Sequence, residues 1–218
     1  MKYKIKKLQI TCDGGAATGK STGAKLIAKK YNLAFLSSGL LYRYASYLII
    51  KHNPKKKINF LRKKFYKLNY KKLNRLNLHS PEISAQSAKI AKILSIRNIL
   101  KRYQKNFVKI NNRCVLEGRD SSTKILPGSD VKFFFICNLD IAAKRRYTDL
   151  KNSNLKIKLN EVKKALKLRN ILDIKRKHSP LKKHKNAVVV NTGKLGKKAM
   201  LAKMSKYVEK VLKIKYGN

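Results

Sequence analysis

Gly14-Gly15-Ala16-Ala17-Thr18-Gly19-Lys20-Ser21-Thr22 reads as Gly, four residues, then Gly-Lys-Ser, the spacing of a phosphate-cradling P-loop. Its flanks supply the context that this spacing needs. Leu8-Gln9-Ile10-Thr11-Cys12, ahead of it, is short, apolar and β-branched, which predicts a strand. Behind it, Ala24, Leu26, Ile27 and Ala28 recur at helical spacing up to Tyr31-Asn32, which predicts a helix with a polar stop. Glycines at 14, 15 and 19 free the backbone to turn successive N–H groups into one concavity, and the following helix aims its positive end at the same point. An anion there replaces the missing partners of the amides. Lys20 would bridge β- and γ-phosphates, and the Ser21 hydroxyl would ligate Mg²⁺. An accidental glycine-rich turn is the rival reading, and it does not account for strand, loop, Lys-Ser and helix arriving in order. The motif points to a nucleotide and is silent on what receives the phosphate.

Further strands are expected at Leu33–Leu36, Arg113–Gly118, Val131–Cys137 and Ala187–Asn191, the fourth in chain order apolar on both faces as a buried parallel strand is. Between them the spacing predicts helices from Gly39 with Ser38 as N-cap, over Glu82–Phe107 as one long helix or a bent pair, over Asp140–Leu150 and Leu159–Leu172, and through Leu195 to Leu212. The second strand, after the first helix, closes a βαβ-like unit. Residues 53–81, rich in Lys, Asn, Leu and Tyr and marked by prolines at both ends, read as an insertion outside the sheet. Five short strands alternating with helices predict a single α/β domain, a parallel three-layer α/β/α sandwich over residues 1–218.

The net charge of +45 would ordinarily suggest nucleic acid or an anionic membrane. Lys supplies 44 of the 55 basic residues and is spread along every segment rather than gathered into a stripe, so most of the charge reads as solvated surface. It would speed encounters with anionic substrates and give weak, salt-sensitive sticking to RNA. Cys12, Cys114 and Cys137 lack metal spacing and read as reduced core thiols. The run from Met1 to Lys7 leads straight into the first strand, with no stretch long enough for a signal peptide or a membrane span. The expectation is a cytoplasmic monomer with no membrane partner and no specific nucleic-acid partner. His52, His79, His178 and His184 sit in Lys-rich contexts without partner spacing and read as surface residues.

In a chain that uses Lys for Arg four to one, a retained Arg invites a reason, because its planar fork grips phosphate in a way that Lys cannot. Arg43, Arg97, Arg119, Arg145, Arg146, Arg169 and Arg176 can all converge at the carboxyl ends of the parallel strands, where such folds bind ligands. Only ten acids exist, yet Asp120 follows Arg119 directly and Asp173 shares a helical face with Arg169 and Arg176. That array can bind a hydroxylated anion or form a solvent-facing ion-pair ladder.

Taken in series, the P-loop, Ser38-Gly39-Leu40-Leu41-Tyr42-Arg43, Ser80-Pro81-Glu82, Glu117-Gly118-Arg119-Asp120, Ala143-Lys144-Arg145-Arg146-Tyr147 and Arg169…Asp173…Arg176…Pro180-Leu181 resemble the bacterial cytidylate kinase family over about residues 5 to 212. The resemblance implies transfer of the ATP γ-phosphoryl group to CMP or dCMP. It implies that residues matching Ser38, Arg97, Asp120 and Arg176 read the cytosine ring, and that those matching Arg169 and Asp173 contact the sugar. Those matching Arg43 and Arg119 would hold the acceptor phosphate. Lys20, Arg119, Arg145 and Arg146 would serve the transfer itself. On this pattern residues 53–81 are a shortened NMP-binding insertion and 144–178 a lid over ATP. The chain departs from the pattern with Ala88 where a sugar-binding Ser is expected, Asn170 for an acidic residue, and Gly15 where Pro is common. A broader UMP/CMP kinase is the near rival. A basic nucleic-acid-binding protein with an incidental P-loop is the rival from another class.

Overall fold

Leu8–Gly14 (β1) is buried along its whole length and forms the centre of a five-stranded parallel sheet. The computed structural model describes residues 5–152 and 157–217. The expected entry from Met1 to Lys4, and the part of the expected lid at 153–156, lie outside them. On one side β1 pairs with Arg113–Gly118 (β3), Asp13 opposite Gly118, and on the other with Val131–Ile136 (β4), Gly14 opposite Phe135. Ala34–Ser37 (β2) and Val188–Asn191 (β5) take the edges, giving the order β2-β3-β1-β4-β5. The expected βαβ-like unit is therefore split: β2 follows the first helix in sequence, but β3 lies between it and β1. Every strand runs the same way, so the ends of β1, β2 and β3 bring Gly14, Ser37 and Gly118 to one edge.

Lys20–Lys30 (α1) and Lys197–Tyr216 (α8) cover one face of the sheet, packing Ala24, Ile27, Met204 and Val208 on Ile10, Phe133 and Phe135. Ser38–His52 (α2), Lys57–Tyr66 (α3), Pro81–Ile90 (α4) and Leu94–Ile110 (α5) cover the other, around Leu36 and Leu116. Leu139–Lys151 (α6) and Leu159–Lys175 (α7) close on each other through Ala142, Ala143, Leu150, Val162 and Leu166.

Several boundaries differ from the sequence reading. Ser37, not Ser38, caps α2: its Oγ accepts from the Leu40 amide at 3.3 Å, while Ser38 is the first helical residue. The stretch from Glu82 to Phe107 is a bent pair, broken at Ala91–Ile93, with Ser80 capping α4 ahead of Pro81. The 53–81 insertion is helical, α3 followed by a 3-10 turn at Tyr70–Arg75, and it buries Leu61, Phe65, Leu73 and Leu78 in the α2–α5 core. All three cysteines are free, and burial pushes the thiols of Cys12 and Cys114 up, away from reactive thiolate. Among the described residues, no helix is long and apolar enough to cross a membrane.

Phe135 joins β4 to α1 tightly. It is 0% exposed, and a Cβ on Gly23 would come within 2.7 Å of its ring. Phe135→Ala leaves a cavity between sheet and helix and should cost ~3–5 kcal/mol of unfolding free energy. Urea denaturation checks this through a lower midpoint at unchanged slope; a loss under ~1 kcal/mol would show the core collapsing into the gap.

Candidate functional site

The edge where the strands end is built first from the P-loop. Gly14 has φ 156 and lies so close to β4 that a Cβ would stand 2.4 Å from the Phe135 carbonyl oxygen. Gly19, the N-cap of α1, turns left-handed at φ 75. The third turn of the loop falls on Ala17 at φ 56 rather than on Gly15, a conformation that costs an L-residue about 1–2 kcal/mol. Gly15 instead supplies its carbonyl, which accepts from Thr18 Oγ1 at 3.0 Å and Lys20 Nζ at 3.1 Å. Ser21 and Thr22 are exposed in the first turn of α1.

Lys20 is buried and lies 3.4 Å from Glu117 Oε1 at the end of β3, whose other oxygen accepts from Ser37 Oγ at 2.5 Å. Burial, and then Arg119, pull the Lys20 ammonium down to about 7, with Glu117 opposing. Burial pushes the Glu117 carboxyl up, but Lys20, Ser37 and Arg119 together hold it below its ordinary value. Asn170, the departure in α7, has its Oδ1 on the Ala16 amide at 2.9 Å. The helix carrying Arg169 and Asp173 is thereby pinned to the P-loop.

Four of the arginines form a group around this lysine. Arg119 Nε donates to Asp173 Oδ2 at 2.8 Å, and Arg43 repels, and is repelled by, Arg169, Arg146 and Arg119. Burial, then this repulsion, lowers Arg43 to about 9 and Arg169 to about 10, so both stay charged at neutral pH. Arg43 Nε and Arg169 Nε are buried without a hydrogen-bond partner among the described residues. Two orphaned donors among mutually repelling cations form a cradle with the chemistry of a phosphate site.

A second group lies beside it. Arg97 in α5 donates to Asp120 Oδ2 at 2.6 Å and to the Ala91 carbonyl at 3.1 Å, with its guanidinium 5.6 Å over the Tyr42 ring. Arg176 Nη1 reaches Asp173 Oδ1 at 3.1 Å, and its Nη2 stands 3.9 Å from Asp120 Oδ1 with no hydrogen bond among the described residues. Asp173 and Arg176 are buried, so the array on α7 is no solvent-facing ladder. Arg97, Asp120 and Tyr42, with Gln104 and Ser179, line a cavity of about 300 Å³. Ser38 Oγ donates to Gln104 Oε1 at 2.6 Å, behind that wall.

Arg145 and Arg146 part company. Arg145 turns to the loop after β5, donating to Thr192 Oγ1 at 3.1 Å and to its carbonyl at 2.9 Å, and Thr192 Oγ1 in turn donates to the Thr18 carbonyl. Arg146 turns the other way, to the His79 carbonyl at 2.9 Å.

Sequence reasoning gave no role to Asp13, Glu117, Gln104, His79 or Thr192. Asp13, 0% exposed in β1, accepts from the amides of Ser121 and Ser122 and from Ser122 Oγ, at 2.9, 2.7 and 2.6 Å. Burial raises its pKa, and the Ser122 and Ser121 bonds oppose that rise. The scarcity of acids was the available signal for Asp13 and Glu117: in a chain of ten, one that ends a central strand is suspect.

Among the described residues no group of three or more His, Cys, Asp or Glu side chains is placed to hold a metal. One exposed hydroxyl, Ser21, at the helix end beside a phosphate cradle suits Mg²⁺, which keeps its waters and takes one or two protein ligands plus phosphate oxygens.

Comparison with known proteins adds the following. A sequence profile of the cytidylate kinase family matches residues 10–210. The chain is 35% identical over 215 residues to a cytidylate kinase of Bartonella tribocorum, covering 96% of this chain and 98% of that one. It is 32% identical over 217 residues to one of Thermosipho melanesiensis, covering 94% and 99%. Among solved structures it is similar to an uncharacterized Eubacterium ventriosum protein, with TM-score 0.54 and 12% identity over 94% of this chain and 99% of that one. A Thermus thermophilus protein gives TM-score 0.52 and 18% identity over 94% and 98%. These two likenesses speak to the fold.

The Lys20–Glu117 pair makes a direct forecast. Glu117→Gln removes the charge that favours protonated Lys20, so the lysine should titrate below its parent value of about 7. NMR titration of the Lys20 side chain in the nucleotide-free enzyme reads this; an unchanged midpoint would show the pair to be uncoupled.

Proposed function

The chain belongs to the cytidylate kinase family, and from that membership we propose how its site performs the family's reaction: transfer of the γ-phosphoryl group of ATP to CMP or dCMP, giving CDP or dCDP. It is an ATP-dependent phosphotransferase. The observation that carries the site assignment is the meeting of the P-loop lysine with a cluster of buried, partly unpartnered guanidinium groups, joined through Glu117, Arg119 and Asp173.

In this reading the amides of Gly14 to Thr22 cradle the ATP phosphates, and Lys20 leaves the Gly15 carbonyl to follow charge onto the transferring group. Arg43 and Arg119 hold the acceptor phosphate in line, with Arg169 beside them, and Asp173 and Arg169 face the sugar. Little covalent work falls to the protein; orientation and charge stabilisation carry the step. Mg²⁺, held by Ser21 and phosphate oxygens, would neutralise charge on the donor phosphates. The cavity lined by Arg97, Asp120, Tyr42 and Gln104 takes the cytosine ring, where the Asp120 carboxylate accepts from the exocyclic amino group and repels the uracil O4. Ser38, bonded to Gln104 behind that wall, and Arg176, beside Asp120, hold the base readers in place. Residues 53–81 serve as the NMP-binding insertion and 144–178 as the lid, with Arg145 on the donor side and Arg146 on the acceptor side. The enzyme works as a cytoplasmic monomer on small molecules. Family membership disfavours a nucleic-acid-binding role for the chain.

Lys20→Ala should lower kcat by at least ~10²-fold, the range for losing an electrostatic clamp on the transition state. A coupled assay checks it, and near-parental activity would discard the assignment. Asp120→Ala should lose discrimination between CMP and UMP while the KM for ATP holds. Initial rates with CMP, dCMP, UMP and AMP side by side decide this, and an unchanged CMP/UMP ratio would remove Asp120 from base reading.

A further inference from the structure

His79 precedes the cap of α4 and lies at the surface, as its Lys-rich context suggests, yet it has two partners. Arg43 Nη1 lies 2.7 Å from His79 Nδ1. A guanidinium has only protons to give, so Nδ1 accepts and the ring proton sits on Nε2. The His79 carbonyl accepts from Arg146 Nη2 at 2.9 Å. Residue 79 is therefore held by α2 through its ring and by α6 through its backbone. The charged groups acting on the imidazole are Arg43 from α2, Arg146 from α6 and Lys25 from α1, all cations; Glu82, in the first turn of its own helix, is exposed. Burial and then these cations hold the ring at about 4, neutral at physiological pH.

Arg43 is also an arginine with an orphaned, buried Nε, in the group of mutually repelling guanidiniums. A phosphate dianion bound by that group competes with the imidazole for the Arg43 fork. It also offsets much of the positive field at the ring. We propose that His79 is a positioning residue for the acceptor phosphate: as a neutral acceptor it holds the Arg43 fork in the site, and when the dianion takes the fork the imidazole takes up a proton from solvent and donates to the phosphate. The proposal rests on the cytidylate kinase reading of this site. Its physical basis is ordinary: one opposite charge within about 4–6 Å raises the affinity of a group for its proton by one to three pH units, and a phosphate carries nearly two charges.

The test counts protons. CMP is titrated calorimetrically into the full chain near pH 7, in buffers of different ionisation heat, for the parent, His79→Gln and His79→Asn. Both amides can still accept from Arg43, and neither can take a proton. The ionisation of CMP itself contributes equally to all three. The parent should take up ~0.1–0.5 proton more per CMP than either variant, as linkage requires of a ring raised from about 4 to between about 6 and 7 on binding. KM for CMP should rise ~5–10-fold in the variants, the scale of one charge-assisted hydrogen bond, with KM for ATP unmoved. Cytidine, which lacks the phosphate, should bind all three alike. Equal proton counts, or a variant defect that persists with cytidine, would overturn the proposal while CMP phosphorylation by the parent leaves the reaction standing. Failure of the parent to bind or phosphorylate CMP would overturn both.

Discussion

Like charges crowded at one end of a parallel sheet are the constraint on which this architecture turns. Arg43, Arg119, Arg146, Arg169 and Lys20 act on one another across a few residues, and Arg97 and Arg176 stand next to them. Such a cluster is held only because Glu117, Asp120 and Asp173 are buried within it, three of the ten acids in a chain of net charge +45. Asp173 alone binds Arg119 at 2.8 Å and Arg176 at 3.1 Å. Buried pairs of this kind are weak contributors to stability, because desolvation offsets attraction. Their use here is to fix direction. Glu117 ties Lys20, Asp120 ties Arg97, and Asp173 ties Arg119 and Arg176, while Arg43 Nε and Arg169 Nε are buried with no hydrogen bond among the described residues, so the site carries surplus positive charge in a set geometry. On the proposed reading, two phosphorylated substrates complete it.

The parallel sheet, the P-loop and the convergence of arginines were legible in the sequence because each rests on short-range signals: β-branched runs, glycine spacing, and Arg retained against a Lys-rich background. What failed did so for physical reasons. Ser37 and Ser38 both cap well in principle, and the choice was made by tertiary contacts, Ser38 being drawn to Gln104, sixty-six residues away in sequence. The insertion has no strong period because its apolar positions answer to α2 and α5 rather than to a face of its own. The strand order β2-β3-β1 depends on a crossover of some eighty residues, which local pattern does not encode. Gly15 illustrates the limit of motif reasoning: the loop asks for a left-handed residue, and Ala17 supplies it.

Asn170 shows how a departure from family pattern becomes intelligible once neighbours are known. A carboxylate there would sit on the Ala16 amide and add negative charge beside the phosphate cradle; the neutral amide makes the same contact without it. α7 is thus moored to the P-loop by Asn170 and to Arg119 by Asp173, within four residues of one helix.

Asp13 has a corresponding place in the backbone. It is the last residue of β1 before the P-loop glycine Gly14, and its three accepted bonds hold the π turn at Ser121–Ile125, directly after Asp120. The proposed donor cradle and the proposed base-reading carboxylate therefore hang from a common yoke at the centre of the sheet, not from the helices around it. The spacing between these two proposed mounts is thus written into the backbone of the sheet.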